Sequence, residues 1–112
     1  MVTAVRTAPA PPLSLPPRLA FVLTQLAPTP DPELALRKVL TEYIDLKIAA
    51  HQSEIDRFEA KWGMDFARFA QARADDTLGV DPYSFPVESD FWDWEAATTL
   101  LDHFSALRNQ WI

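Results

Sequence analysis

Asp31-Pro-Glu-Leu-Ala-Leu-Arg-Lys-Val-Leu40-Thr-Glu-Tyr-Ile-Asp-Leu-Lys-Ile-Ala-Ala50-His-Gln-Ser-Glu-Ile-Asp-Arg-Phe-Glu-Ala60-Lys-Trp-Gly63 is the stretch that decides the fold. Asp31 suits an N-cap, Pro32 the first helical position, and Glu33 the positive end of the helix dipole. No further proline or glycine follows until Gly63, which suits the left-handed residue just past a helix end. The spacing predicts one helix of about 31 residues, about 46 Å long at 1.5 Å per residue. Leu40, Ile44, Ile48, Ile55, Phe58 and Trp62 form an apolar stripe, and His51 fills its gap at the same spacing. From Ile44 onward the steps are 4, 3, 4, 3 and 4, a coiled-coil-like seam.

Downstream, Asp65 can cap a short helix through Arg73, with Phe66 and Phe69 on one face. Asp75 to Ser89 reads as a loop, because it holds Gly79, Pro82 and Pro86. Ser89 or Asp90 then caps a last helix running to the C-terminus. Its stripe is Trp94, Ala97, Leu100, Leu101, Phe104, Leu107 and Trp111. Only Val80 to Val87 is conceivable as extended chain. The expected class is therefore all-α, with two long amphipathic antiparallel helices joined by a short helical elbow and loop.

Upstream, Pro17 to Ala27 is a candidate short helix, densely apolar at Leu19, Phe21, Val22, Leu23 and Leu26 and broken by Ala27-Pro-Thr-Pro. Eight of the ten prolines fall in the first 32 residues. Residues 1–17 read as a proline-rich, disordered N-terminal leader and 18–112 as a single helical domain. Within the leader, Arg6-Thr-Ala-Pro9-Ala-Pro-Pro12 matches the RxxPxxP spacing that aromatic grooves take up. A plain linker is the simpler reading of so short a motif.

Composition removes whole classes of chemistry. The chain has no cysteine, which rules out disulfides, thiolate metal sites and cysteine catalysis together. Two glycines cannot build a phosphate-cradling loop or a GxSxG elbow, and HExxH is absent. No apolar run reaches the roughly 20 residues that span a bilayer, and no segment fits a signal peptide. A soluble cytoplasmic protein, not a membrane one, is the expectation. The net charge of -6 is unevenly placed, with six acids against Arg108 alone in residues 81–112. Such a surface repels phosphate backbones, disfavours direct nucleic-acid binding, and attracts a basic partner.

His51 and Glu54 share a helical face at i, i+3 and form one edge of a conceivable metal site. Ile48 and Leu100 stand where a di-iron bundle needs its carboxylates, so His51 reads as a polar seam residue that sets register. His103 reads as a surface imidazole. No catalytic residue, cofactor or metal is assigned.

The informative segment is Tyr83-Ser-Phe-Pro-Val-Glu-Ser-Asp-Phe-Trp-Asp-Trp-Glu95, five aromatics among four acids. On a helix Trp92 lies about 200° from Trp94, so both cannot enter one thin core. Aromatics anchor interfaces and carboxylates select a basic partner. Tyr83, Phe85, Glu88, Asp90, Phe91, Trp92 and Asp93 are therefore the candidate partner-binding residues, unless the short helix or the leader covers Trp92. A first helix of about 46 Å overshoots a 100-residue globule of about 13 Å radius of gyration. The thin core that follows makes a homodimer through the long helices a second expectation.

Two strings carry a family resemblance. Arg57-Phe-Glu-Ala-Lys-Trp-Gly-Met-Asp-Phe66 and Tyr83-Ser-Phe-Pro-Val-Glu-Ser-Asp-Phe-Trp-Asp-Trp-Glu-Ala-Ala97 resemble small helical proteins of archaea and cyanobacteria. Those are the antitoxin half of two-gene toxin–antitoxin operons and lie beside a small, basic, ribonuclease-like toxin. The resemblance covers about residues 43–107 and leaves the leader and the first short helix outside it. It implies an antitoxin-like protein that neutralises a basic cognate toxin by tight binding, without catalysis. A self-associating structural or assembly module is the alternative.

Overall fold

The computed structural model describes residues 14–111. Most of the leader, with its Arg6–Pro12 motif, lies outside them, as does the side chain of Trp111. Among the described residues all regular structure is helical: α1 (Pro17–Leu26), α2 (Pro32–Trp62), α3 (Phe66–Ala74) and α4 (Phe85–Trp111). By contacts the chain divides into two compact units, 1–40 and 41–112, and the division falls inside α2.

In the first unit, α1 opens with proline at its first position and ends at Ala27, whose N–H donates to the Leu23 carbonyl. None of its residues is buried, and Leu19, Phe21, Val22 and Leu26 stay exposed. Among this unit's described residues, Ala27 and Ala35 are the buried ones. α2 begins as its sequence demands. The Asp31 carboxylate accepts from the Glu33 N–H at 3.1 Å, and the Asp31 carbonyl takes the first helical bond from the Ala35 N–H at 2.9 Å.

The second unit holds the aromatic core. α2 and α4 pack antiparallel, shown by four cross-helix pairs whose numbers rise on one helix as they fall on the other. Arg108 pairs with Asp45, Phe104 stacks on His51, Trp94 stacks on Phe58, and Asp90 accepts from Trp62. Ile55, Phe58, Phe69, Val87, Trp94 and Ala97 form the buried cluster, with Trp94 and Phe69 fully enclosed. α3 closes this cluster from the side. The Asp65 side chain caps it by accepting from the Arg68 N–H at 2.9 Å, and Phe66 and Phe69 then reach Trp94 at 5.5 and 5.0 Å between ring centroids. Trp62 tilts against Phe69 at 4.8 Å. Each well-set aromatic pair adds about 0.5–1.5 kcal/mol beyond area burial.

The sharp turn from α2 into α3 rests on Gly63. Its φ is +69°, and its N–H donates to the Glu59 carbonyl at 2.7 Å, the single-bond left-handed helix ending. No atom stands within 4 Å of the place where a Cβ would go. The cost of a side chain there is therefore backbone strain alone. Gly63→Ala is expected to lower stability by about 1–2 kcal/mol in a denaturant melt. A change of sign would place the requirement elsewhere.

Two details of the second half differ from the sequence reading. The last helix starts at Phe85, not at a Ser89 or Asp90 cap, and Val80 to Val87 is not extended. Ser84 precedes the helix, and its carbonyl accepts the first helical bond from the Glu88 N–H at 3.0 Å. Pro86 occupies the first turn, where a missing N–H leaves no helical bond unmade. The loop between α3 and α4 is correspondingly shorter. It contains Asp76 at φ +57° and Gly79 at +84°, and the Thr77 N–H donates back to the Ala72 carbonyl at 2.8 Å.

Candidate functional site

The early start of α4 decides how the candidate residues are displayed. With Phe85 helical, it stands seven residues before Trp92, within about 20° of the same line on the helix and about 10 Å along it. Both side chains are exposed, Phe85 at 81% and Trp92 at 58% of their full surface. Glu88 and Glu95 lie four residues before and three after Trp92, the two offsets that put neighbours on one helical face. Asp93 is exposed on the flank. Among the described residues none of these three carboxylates has an ion-pair or hydrogen-bond partner.

Phe91 continues the apolar surface inward. It meets Trp92 edge-on at 5.3 Å and Phe66 at 5.4 Å, and it packs on the core cluster. Tyr83 stands on the other side of it, exposed, with Arg73 between them. The Arg73 guanidinium lies 4.7 Å from the Phe91 ring centre and 5.9 Å from that of Tyr83, and its Nε donates to the Pro82 carbonyl at 3.1 Å. Tyr83 is further fixed by its N–H, which donates to the Asp81 carboxylate at 3.0 Å. The row Tyr83, Arg73, Phe91, Trp92 is thus one continuous run of ring and guanidinium contacts.

Asp90 stands apart from the other candidates. Its side chain is only 14% exposed, and one carboxylate oxygen takes both the Trp62 indole N–H at 3.0 Å and the Lys61 ammonium. It ties α4 to the end of α2 and is not a carboxylate awaiting a partner. The structure therefore brings Phe85, Glu88, Trp92 and Asp93 to one outward region, reaches Tyr83 through Phe91, and turns Asp90 inward. Glu95 and Arg73 belong with the region and are not among the sequence candidates. Glu95 is signalled by its three-residue offset from Trp92; nothing in the sequence signals the placement of Arg73.

The remaining polar groups offer less. His51 is half-buried, stacks on Phe104 with ring centroids 5.9 Å apart, and faces Glu54 at 3.4 Å. Among the described residues no third His, Asp or Glu joins them to form a metal-sized cluster. A hollow of about 310 Å³ along α3 is lined by Met64, Arg68, Gln71, Ala72, Asp75 and Thr77. Its Gln71 amide already donates to Asp75. Among the described residues no helix is long and apolar enough to cross a membrane.

Comparison with known proteins finds no family, no curated protein and no solved structure that matches this chain.

Proposed function

We propose that the chain is a non-catalytic, antitoxin-like binding protein of the cytoplasm. Its Tyr83–Glu95 region takes a small basic protein encoded beside it and masks the surface through which that protein acts. The observation that carries this reading is the pair of large exposed rings, Phe85 and Trp92, beside carboxylates that have no ion-pair or hydrogen-bond partner among the described residues. A water-exposed aromatic face is costly to keep unless something covers it, and central aromatics supply most of the energy of protein interfaces. The carboxylates select the charge of what covers it and speed its arrival. The resemblance of residues 57–66 and 83–97 to antitoxin-type helical proteins supports the same partner class.

The test is co-purification of the full chain with the product of the adjacent gene. A stable complex with a small basic protein, whose toxicity the chain suppresses, is the expected outcome. Asp93→Lys is expected to slow association several-fold at low salt with little change in dissociation, and the difference should fade as ionic strength rises. A salt-independent rate would remove the electrostatic part of the proposal.

A second reading has its own observation. Tyr43 and Leu46 on α2, and Leu100 and Leu107 on α4, are exposed apolar side chains on the two long helices of the second unit. They suit self-association through those helices. Light scattering on the purified chain separates the two readings, because a monomer that binds the basic partner leaves no place for an obligate homodimer.

A further inference from the structure

In the second unit, cations lie over four of the rings that reach the surface, Tyr43, Trp62, Tyr83 and Phe91, and over the buried Phe58. Lys47 lies over Tyr43 at 5.5 Å, Arg57 over Phe58 at 5.3 Å, Lys61 over Trp62 at 5.7 Å, and Arg73 over Phe91 and Tyr83. At Trp62 and Phe91 the cation is also held by an oxygen, that of Asp90 or the Pro82 carbonyl. Two exposed rings of this unit, Phe85 and Trp92, have no such cation among the described residues, and of the two Trp92 is the one with a carboxylate on both sides. Its indole is exposed, Glu88 and Glu95 stand on its face one helical turn to either side, and among the described residues no Lys or Arg lies over it.

We infer that the Trp92 face, with Glu88 and Glu95, is a receptor for an arginine side chain of the partner. This rests on the reading of the face as a docking surface and narrows it to one residue type. Trp presents the strongest ring face for a cation. A guanidinium is planar and weakly hydrated, so it stacks on an indole while its edge N–H groups reach carboxylates on both sides. An ammonium is a compact, strongly hydrated point charge and can satisfy only one of these contacts well. The chain contains a precedent in Arg73, whose guanidinium lies over two rings while its Nε donates to an oxygen. The partner's arginine would extend that row by one position, beyond Phe91 and onto Trp92.

The experiment uses the full chain labelled with 15N and follows the indole N–H signals, with Trp92→Phe to assign that of Trp92. Hexa-arginine and hexa-lysine are the probes, equal in length and charge. The expected result is movement of the Trp92 signal with hexa-arginine at a midpoint about threefold or more below that of hexa-lysine. The Trp94 signal should stay in place. Glu88→Gln with Glu95→Gln, verified as folded by its melting curve, should erase the difference between the peptides. Equal midpoints, or a difference that survives in the double variant, would overturn the arginine receptor and leave the basic-partner reading standing. A Trp92 signal unmoved by either peptide would overturn both.

Discussion

Trp94→Ala is expected to lower the unfolding free energy by about 3–5 kcal/mol, the usual range for removing a large buried aromatic. Trp94 is fully enclosed and stacks on Phe58 from α2, meets Phe66 and Phe69 from α3, and belongs itself to α4. With Phe69, which meets Trp62 of α2 as well as Trp94, it is a side chain on which all three helices of the second unit converge. Alanine would leave a cavity that α2, α3 and α4 cannot each close without disturbing the others. One feature tempers the effect of a gentler change. The Trp94 indole N–H is buried without an acceptor among the described residues, and a group in that state costs about 1–3 kcal/mol. Trp94→Phe removes the orphan donor together with part of the ring, so its loss should be well under half that of Trp94→Ala. Urea melts of the two variants check both numbers. Near-equal losses would mean that the indole N–H is satisfied in solution.

The same residue shows what a sequence can and cannot reveal here. The separation of Trp94 from Trp92 follows from helical geometry alone, since adjacent-but-one positions point about 200° apart. The ends of α2 were equally legible, because Asp31, Pro32 and Gly63 each have a local chemical reason to stand where they do. The start of α4 was not. Pro86 reads as a helix breaker, yet a proline in the first turn lacks only an N–H that has no helical acceptor. Taken as a breaker, Pro86 places Phe85 off the helix and hides its alignment with Trp92. The contacts of Asp90 are hidden for a different reason. Nothing local distinguishes it from Asp93, and its inward role depends on Lys61 and Trp62, which are 29 and 28 positions away and arrive only when α2 and α4 pack. The exposure of α1's apolar side chains was likewise invisible, since composition alone argues for their burial. Long-range partnership, and not local propensity, is what the pattern of residues leaves unstated.

Trp92→Ala is expected to behave as the opposite of Trp94→Ala. The side chain is more than half exposed, and its ring contact among the described residues is the edge-on meeting with Phe91. Little core is lost with it, so the helical content and melting temperature should stay close to those of the parent. Binding is another matter. If the Phe85–Trp92 face is the centre of the interface, truncation removes the ring that the partner desolvates and weakens the complex by about 2 kcal/mol or more. That is about a thirtyfold rise in Kd. Most of it should appear as faster dissociation, since the ring acts after encounter, whereas Asp93→Lys acts before it. The two variants therefore divide the face into an anchoring part and a steering part, each with its own kinetic signature. Surface plasmon resonance against the co-purified basic partner reads both rates. A Trp92→Ala protein that melts early but binds normally would reverse the assignment of the two tryptophans. Unchanged binding by both variants would move the interface off this face and toward the exposed apolar positions of the long helices, Tyr43, Leu46, Leu100 and Leu107.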